Sequence, residues 1–366
     1  MRYAQEGPVN MSTVNKKRLG ASRPWVTALA LAVAATPVGA ELRTVDEPAV
    51  SGIRVQIDND LFAGSDRDRD YTGGMAVTIS GRNARDGALS LNPVLERLDR
   101  LAMGEHPSSQ VRHARQVGLM VFTPQNTLAS EPLTDDRPYA SLLFVSNGRM
   151  QVDEDQRGAW SSSLTLGMLG LPLTERLHSA VHEVVGSESP RGYDNQISAG
   201  GEPTARYTLA RQRLWQASPS GRFDMKTTVQ GSIGFLTEAS AAVSMRIGRF
   251  NTPWWSSAPE LADYIAAPVP VVAPSSNRPE LYVFAGARLK ARAYNAFLQG
   301  QFRHSAVRYS ADDLMPVVGE AWLGVVTQIL EQTQLSYSLN YQTAEFRDGK
   351  AARDVLWGAV QVSHAF

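Results

Sequence analysis

Apolar and polar residues alternate along much of the chain, beginning with Ile53, Val55 and Ile57, which are separated by Arg54, Gln56 and Asp58. A period of two puts alternate side chains on opposite faces of an extended backbone, so this stretch is predicted as a strand with one apolar face. Met75, Val77 and Ile79 repeat the pattern. Similar stretches lie near 113–122, 139–150, 159–168, 203–216, 221–235, 238–248, 279–299, 314–329, 332–346 and 354–366, which makes twelve strands in all. The number is even, as single-chain bacterial barrels require, and many of the stretches reach the roughly 10 residues with which a tilted strand crosses a bilayer.

Two stretches switch to helical spacing. Leu91, Val94, Leu95, Leu98 and Leu101 recur within 82–111, and Leu177, Ala180, Val181, Val184 and Val185 form an apolar face within 174–185. Both are predicted as short amphipathic helices in long connections, a setting that is often functional. The Pro-rich stretch 266–279 is predicted as a loop. The final alternation places Val360, Val362, His364 and Phe366 on one face and ends the chain on an aromatic residue, as outer-membrane barrel strands do.

Composition narrows the class. The chain has 366 residues, 36 Lys plus Arg against 36 Asp plus Glu, and no Cys. A zero balance without a basic block leaves no footprint for nucleic acid, and the lack of Cys excludes disulfides and thiolate chemistry. No apolar run reaches the 18 residues of a membrane helix. Lys16, Lys17, Arg18 and Arg23, the apolar run 25–35 and then Val38, Gly39 and Ala40 read as a secretory signal spanning 1–40, with Met11 as an alternative start. The mature chain, 41–366, then carries 31 basic against 35 acidic residues, a net −4. The expected architecture is all-β: a closed antiparallel transmembrane barrel of about twelve strands in the bacterial outer membrane, monomeric, with a short helix in an extracellular loop. A soluble periplasmic β-sandwich is the competing architecture.

If both termini face the periplasm, the connections after strands one, three and five are extracellular. These are 60–71, 123–138 and 169–202, and the polar clusters of chemical interest fall in or beside them. The first holds Asp58, Asn59 and Asp60 with Asp66, Asp68, Asp70, Tyr71 and Thr72, a density of oxygens that suits calcium; it is also what a solvated acidic hairpin looks like. Strand parity turns Asp58, Asp60 and Thr72 into the lumen, where Asp60 and Thr72 can meet, but gives Asn59 the outward parity unless a bulge or strand end intervenes. The second holds Asp135, Asp136 and Arg137, read chiefly as a loop tie between Arg137 and its neighbouring acids, with substrate phosphate as the alternative partner for Arg137. The third is the helix with Glu175, His178 and His182, followed by Glu188. Its His pair lacks the Glu of a zinc-protease helix, since Ser179 stands there, and a His near a carboxylate is the natural general base at neutral pH.

Taken together the motifs resemble the outer-membrane lipid A 3'-O-deacylase family. The matching strings are Asn59-Asp60, YTGG from Tyr71, FTP at 122–124, DDRPYA at 135–140, HEVVG at 182–186, GYDNQ at 192–196, FLQG at 297–300 and TAEF at 343–346. The resemblance implies a twelve-stranded barrel with a calcium-dependent esterase site near the extracellular rim, acting on lipid A of lipopolysaccharide in the surrounding outer-membrane lipid. Carried over residue by residue, it makes His182 the catalytic His, places Asn59, Asp60, Thr72 and Glu188 in the site, and suggests Asp60 and Glu188 as calcium ligands. Two positions depart from the family pattern. His178 replaces a Gln one turn before the catalytic His, and 123–138 contains no Lys. The implied reaction is hydrolysis of the 3' acyloxyacyl ester with His182 as general base and calcium beside the oxyanion. No G-x-S-x-G supports a Ser nucleophile. The competing function is a non-enzymatic pore or surface-binding barrel.

Overall fold

The computed structural model describes residues 47–64, 69–185, 188–218, 222–276 and 278–366, with the side chains of Val181, His182, Val184 and Val185 left out. The expected signal segment 1–40, Asp66 and Asp68 of the acidic loop, and Gly186 lie outside the described residues. Among those described, twelve strands form one closed meander: β1 (Gly52–Asn59), β2 (Asp70–Ser80), β3 (Gln110–Thr123), β4 (Ala140–Val152), β5 (Gly158–Leu169), β6 (Glu202–Ala217), β7 (Phe223–Gly234), β8 (Leu236–Arg249), β9 (Leu281–Asn295), β10 (Val317–Leu330), β11 (Thr333–Gln342) and β12 (Val355–Ala365). Every pair is antiparallel. β1 closes the barrel on β12 in register from Gly52 opposite Ala365 to Asn59 opposite Gly358.

The period-two pattern determines which face meets what. Val55, Ile57, Met75, Val77, Val229 and Ile233 are exposed on the outside, whereas Gln56, Asp58, Thr78, Gln116, Thr228 and Gln230 are buried within. An apolar exterior over a polar interior is the arrangement lipid demands, and closure leaves no strand edge without a partner. Among the described residues no helix is long and apolar enough to cross a membrane.

An even strand number returns both ends of the barrel to one rim, here called the near rim. The connections 60–69, 124–139 and 170–201 all lie at the far rim, as parity predicted, together with 296–316 and 343–354. The last two hold the FLQG and TAEF strings, which the alternation had placed at the ends of strands predicted over 279–299 and 332–346. At the near rim the predicted helical stretch forms α1 (Arg82–Asp86) and α2 (Asn92–Met103), which fold back against the barrel's outer wall. Asp99 accepts hydrogen bonds from Ser162 at 2.7 Å and Tyr207 at 2.9 Å and pairs with Arg149 at 3.2 Å, while Asn147 donates to the Ala84 carbonyl at 2.8 Å. Polar contacts fasten the inner side of α2, so Val94 and Leu101 of its apolar stripe remain exposed and only Leu95 is fully buried.

The stretch predicted as a Pro-rich loop behaves differently from a surface loop. Residues 250–276 leave the near rim and pass into the lumen, where side chains from around the wall take up their backbone and acids. Ser51 donates to the Val271 carbonyl at 2.8 Å, Gln116 to the Ala266 carbonyl at 3.0 Å, and Arg206, Lys226 and Arg288 pair with Asp263, Glu260 and Asp263 at 2.6, 2.8 and 2.9 Å. Gly148 of β4 is required by this path, because a Cβ there would sit 2.0 Å from the Pro268 carbonyl oxygen. The backbone has few strand or helix bonds of its own, and the lumenal side chains satisfy it instead.

Candidate active site

β1 ends at Asn59, and a single 3-10 turn, Asp60–Ala63, follows. The Asn59 carboxamide oxygen accepts from the Leu61 N–H at 2.8 Å, so its outward parity is resolved by a strand end at which it caps the turn. Asp60 is buried and accepts from the Arg69 N–H at 2.8 Å, closing the base of the acidic loop. Asp58, one step below, accepts from Gln56 at 2.7 Å and from the Tyr71 hydroxyl at 3.1 Å. Asp58, Asp60 and Thr72 are all buried, as parity predicted. Thr72 sits at a register shift between β2 and β3, and its hydroxyl lies 2.6 Å from that of Thr123.

The third far-rim connection carries α3 (Pro172–Val185). Its inward stripe is polar: Thr174 and His178 are buried, while Leu173 and Leu177 are exposed, so the predicted apolar face looks away from the barrel. The His178 Nδ1 lies 2.8 Å from the Tyr193 hydroxyl, and Tyr193 packs on Tyr139 with ring centroids 4.8 Å apart. His182 lies four residues further along α3. Glu188 lies just beyond the helix and is exposed. The GYDNQ string docks this connection onto its neighbour: Asn195 donates to the Ser130 carbonyl at 2.8 Å, Ser141 donates to Gln196 at 3.0 Å, and the Ile197 N–H to the Tyr139 carbonyl at 2.8 Å.

Beneath these loops the remaining strings build a floor. Tyr71 packs against Phe122, Tyr264 and Trp357 with centroids 5.3, 5.2 and 5.4 Å away, and Phe297 lies 4.6 Å from Phe122. Arg137 covers the Phe122 ring at 5.1 Å and pairs with Glu345 and, at 3.7 Å, with Asp70. Its structural role therefore stands, but its charge partners arrive from other elements and not from the adjacent Asp135 and Asp136. Arg353 bridges Asp70 and Asp136, each at 2.8 Å. Burial pushes the pKa of that guanidinium down, but Asp70 and Asp136 push it up by more, so it lies above its ordinary value and Arg353 stays firmly charged. Sequence reasoning missed Tyr264, Trp357 and Arg353; only Glu345 had a signal, through TAEF.

A cavity of about 140 Å³ opens beside Asp60 and is also bordered by Arg69, Asp70 and Asp354. Oxygen ligands of this kind suit calcium. Asp70 is committed to Arg353, however, and Asp354 accepts from Tyr341 at 2.5 Å and from the Ala344 N–H at 2.9 Å. Among the described residues no group of three or more His, Asp or Glu is placed to hold a metal.

A family model described as "Outer membrane protein LpxR" matches residues 25–366. Among solved structures, LpxR from Salmonella typhimurium is 15% identical with a TM-score of 0.67, covering 86% of this chain and 100% of that one. The β domain of the Bordetella autotransporter BrkA is 10% identical with a TM-score of 0.42, covering 87% of this chain and 100% of that one. No curated protein sequence matches.

Proposed function

The chain belongs to the family of outer membrane protein LpxR, and from that premise we propose that it is a lipid A deacylase that hydrolyses the 3' ester-linked acyloxyacyl group at the outer leaflet. It is an outer-membrane protein, and with its termini in the periplasm the far rim is the extracellular one. The observation that carries the reading is that Asn59, Asp60, Thr72, His182 and Glu188, drawn from three segments of sequence, all belong to that one rim, where lipid A lies. The outward-turned Leu173 and Leu177 of α3 give the same rim an apolar surface suited to acyl chains.

In this mechanism His182 takes a proton from water as the oxygen attacks the ester carbonyl. Asn59 and Thr72 donate to the oxyanion, and collapse of the tetrahedral intermediate returns the proton to the 3' oxygen, releasing the acyloxyacyl acid and a free hydroxyl. Calcium, with Asp60 and Glu188 as proposed ligands, would add electrostatic stabilisation of developing negative charge. The floor of aromatic rings and ion pairs below keeps the site's base rigid and dry.

The test is mass loss from lipid A incubated with purified protein and calcium. His182→Ala is expected to lower the rate about 10²- to 10⁴-fold while remaining heat-modifiable on a gel, and chelation of calcium is expected to abolish activity. A folded His182→Ala protein with wild-type rate would refute the mechanism. The passive-pore alternative has against it the segment 250–276, which occupies the lumen.

A further inference from the structure

The lumen is lined with ion pairs, though among the described residues the inward-facing Arg54 and Arg112 take part in none. Arg206, Lys226, Arg246, Arg288, Lys290 and Arg292, all turned inward by the strands, each pair with a carboxylate. Arg54 of β1 does not. Among the described residues its guanidinium makes one hydrogen bond, from Nη1 to the Val269 carbonyl at 3.2 Å, and its buried Nε makes none. Arg54 is half-buried, with its Nε shut off from water, and a guanidinium partly withdrawn from solvent is stabilised by a counter-charge.

The strand register shows what surrounds it. Arg54 stands opposite Ser363, which stands opposite Gln334; one row up, Gln56 stands opposite Gln361, which stands opposite Ser336. These six side chains border a cavity of about 130 Å³ between β1, β11, β12 and the lumenal segment. Five of the six are neutral. The acids bonded to them, Asp58 through Gln56 and Glu280 through Gln334, do not line the cavity, and Glu280 also accepts from the backbone N–H groups of Asn251 and Thr252. The side chains of Ser336, Gln361 and Ser363 make no hydrogen bond to other described residues, which leaves their donors available to a guest.

We propose that this cavity is a binding site for a small oxyanion, a carboxylate or inorganic phosphate, seated on the Arg54 guanidinium with Ser336, Gln361 and Ser363 as further donors. A guanidinium fork matches the paired oxygens of either group. The lining begins one residue into β11 and two residues from the end of β12, so the ion enters from the periplasmic rim. The cavity has room for a small ion, and its place at the periplasmic end of β11 and β12 separates it from the extracellular ester chemistry.

The experiment uses the full chain in detergent micelles. Its thermal unfolding midpoint is measured while sodium phosphate, or separately sodium acetate, is titrated at constant ionic strength set with sodium chloride. A saturable rise of about 2–4 °C in at least one titration is expected, abolished in Arg54→Gln and partly kept in Arg54→Lys. The salt that responds identifies the class. No saturable rise in either titration, or an equal rise in Arg54→Gln, overturns the proposal and leaves Arg54 as a pin for Val269. Should Arg54→Gln not fold, the Ser336→Ala, Ser363→Ala double variant is titrated instead; a severalfold higher half-saturating concentration supports the site, and an unchanged one overturns it.

Discussion

Tyr264 holds the tip of the lumenal segment in place at a conformational cost, and the two effects can be separated. Its φ is +66°, a left-handed backbone that costs a residue with a Cβ about 1–2 kcal/mol. The ring offsets that cost by packing against Tyr71, Phe122 and Trp357, with centroids 5.2, 4.8 and 6.2 Å away, and the hydroxyl donates to Glu345 at 2.7 Å. Tyr264→Phe keeps the ring and removes one of several donors to Glu345, an expected loss of about 1–2 kcal/mol. Tyr264→Ala loses the ring and keeps the strain, for about 3–5 kcal/mol. Tyr264→Gly loses the ring but relieves the strain; after its greater unfolded-chain entropy is charged, it should still exceed Ala by about 1 kcal/mol. The expected order is Tyr, Phe, Gly, Ala, the reverse of the usual preference for Ala over Gly. Denaturant unfolding in lipid vesicles, followed by tryptophan fluorescence, measures it. An Ala variant as stable as the Gly variant would refute the argument that backbone strain is borne by the ring.

Gly74→Ala should destabilise the barrel by about 1–3 kcal/mol, because its Cβ would lie 2.5 Å from the Tyr71 hydroxyl and 2.9 Å from the Leu119 carbonyl oxygen; the same unfolding assay reads it. Wild-type protein in planar bilayers should show no steady conductance, and a stable open current would mean that 250–276 does not fill the lumen. Asp153, in the turn after β4, is held below the usual carboxylate range by its hydrogen bonds to Arg211, against a smaller opposing effect of burial. Its contribution to stability is therefore present above the unfolded pKa of about 4 and is lost as pH falls through the lower folded value, so Asp153→Asn should be less stable at pH 7 and converge on wild type in strong acid.

The strands were legible because lipid outside and polar groups inside leave a period-two record in every one of them, from Ile53 to Phe366. Rim assignment followed from counting. Contacts between distant segments left no such record. Arg137 sits beside two acids in sequence, yet its close partner Glu345 is 208 positions away, and no local pattern announces that meeting. In α3 the spacing of Leu177 and Ala180 revealed a stripe but not its surroundings, since a helix at a membrane surface can turn its apolar side outward while Thr174 and His178 face the protein. Segment 250–276 reads as a loop because it lacks periodicity; only the ring of donors around it explains how such a backbone can be buried. Asp60 and Thr72 were placed inside by parity alone, whereas the pairing of Thr72 with Thr123 depended on a register shift that alternation does not encode.

The segment inside the cylinder is spliced between β8 and β9, and this constrains how a nascent chain can reach its final form. Its acids Glu260 and Asp263 are claimed by Arg206 and Lys226, which are synthesised earlier, and by Arg288, which is synthesised later. A half-rolled sheet thus holds orphaned charges on its concave side, and β12 cannot zip onto β1 first and be stuffed afterwards without stranding them. These pairs predict that rolling up and filling are coupled, so a shortened variant lacking this stretch is expected to fail in assembly rather than form a hollow tube.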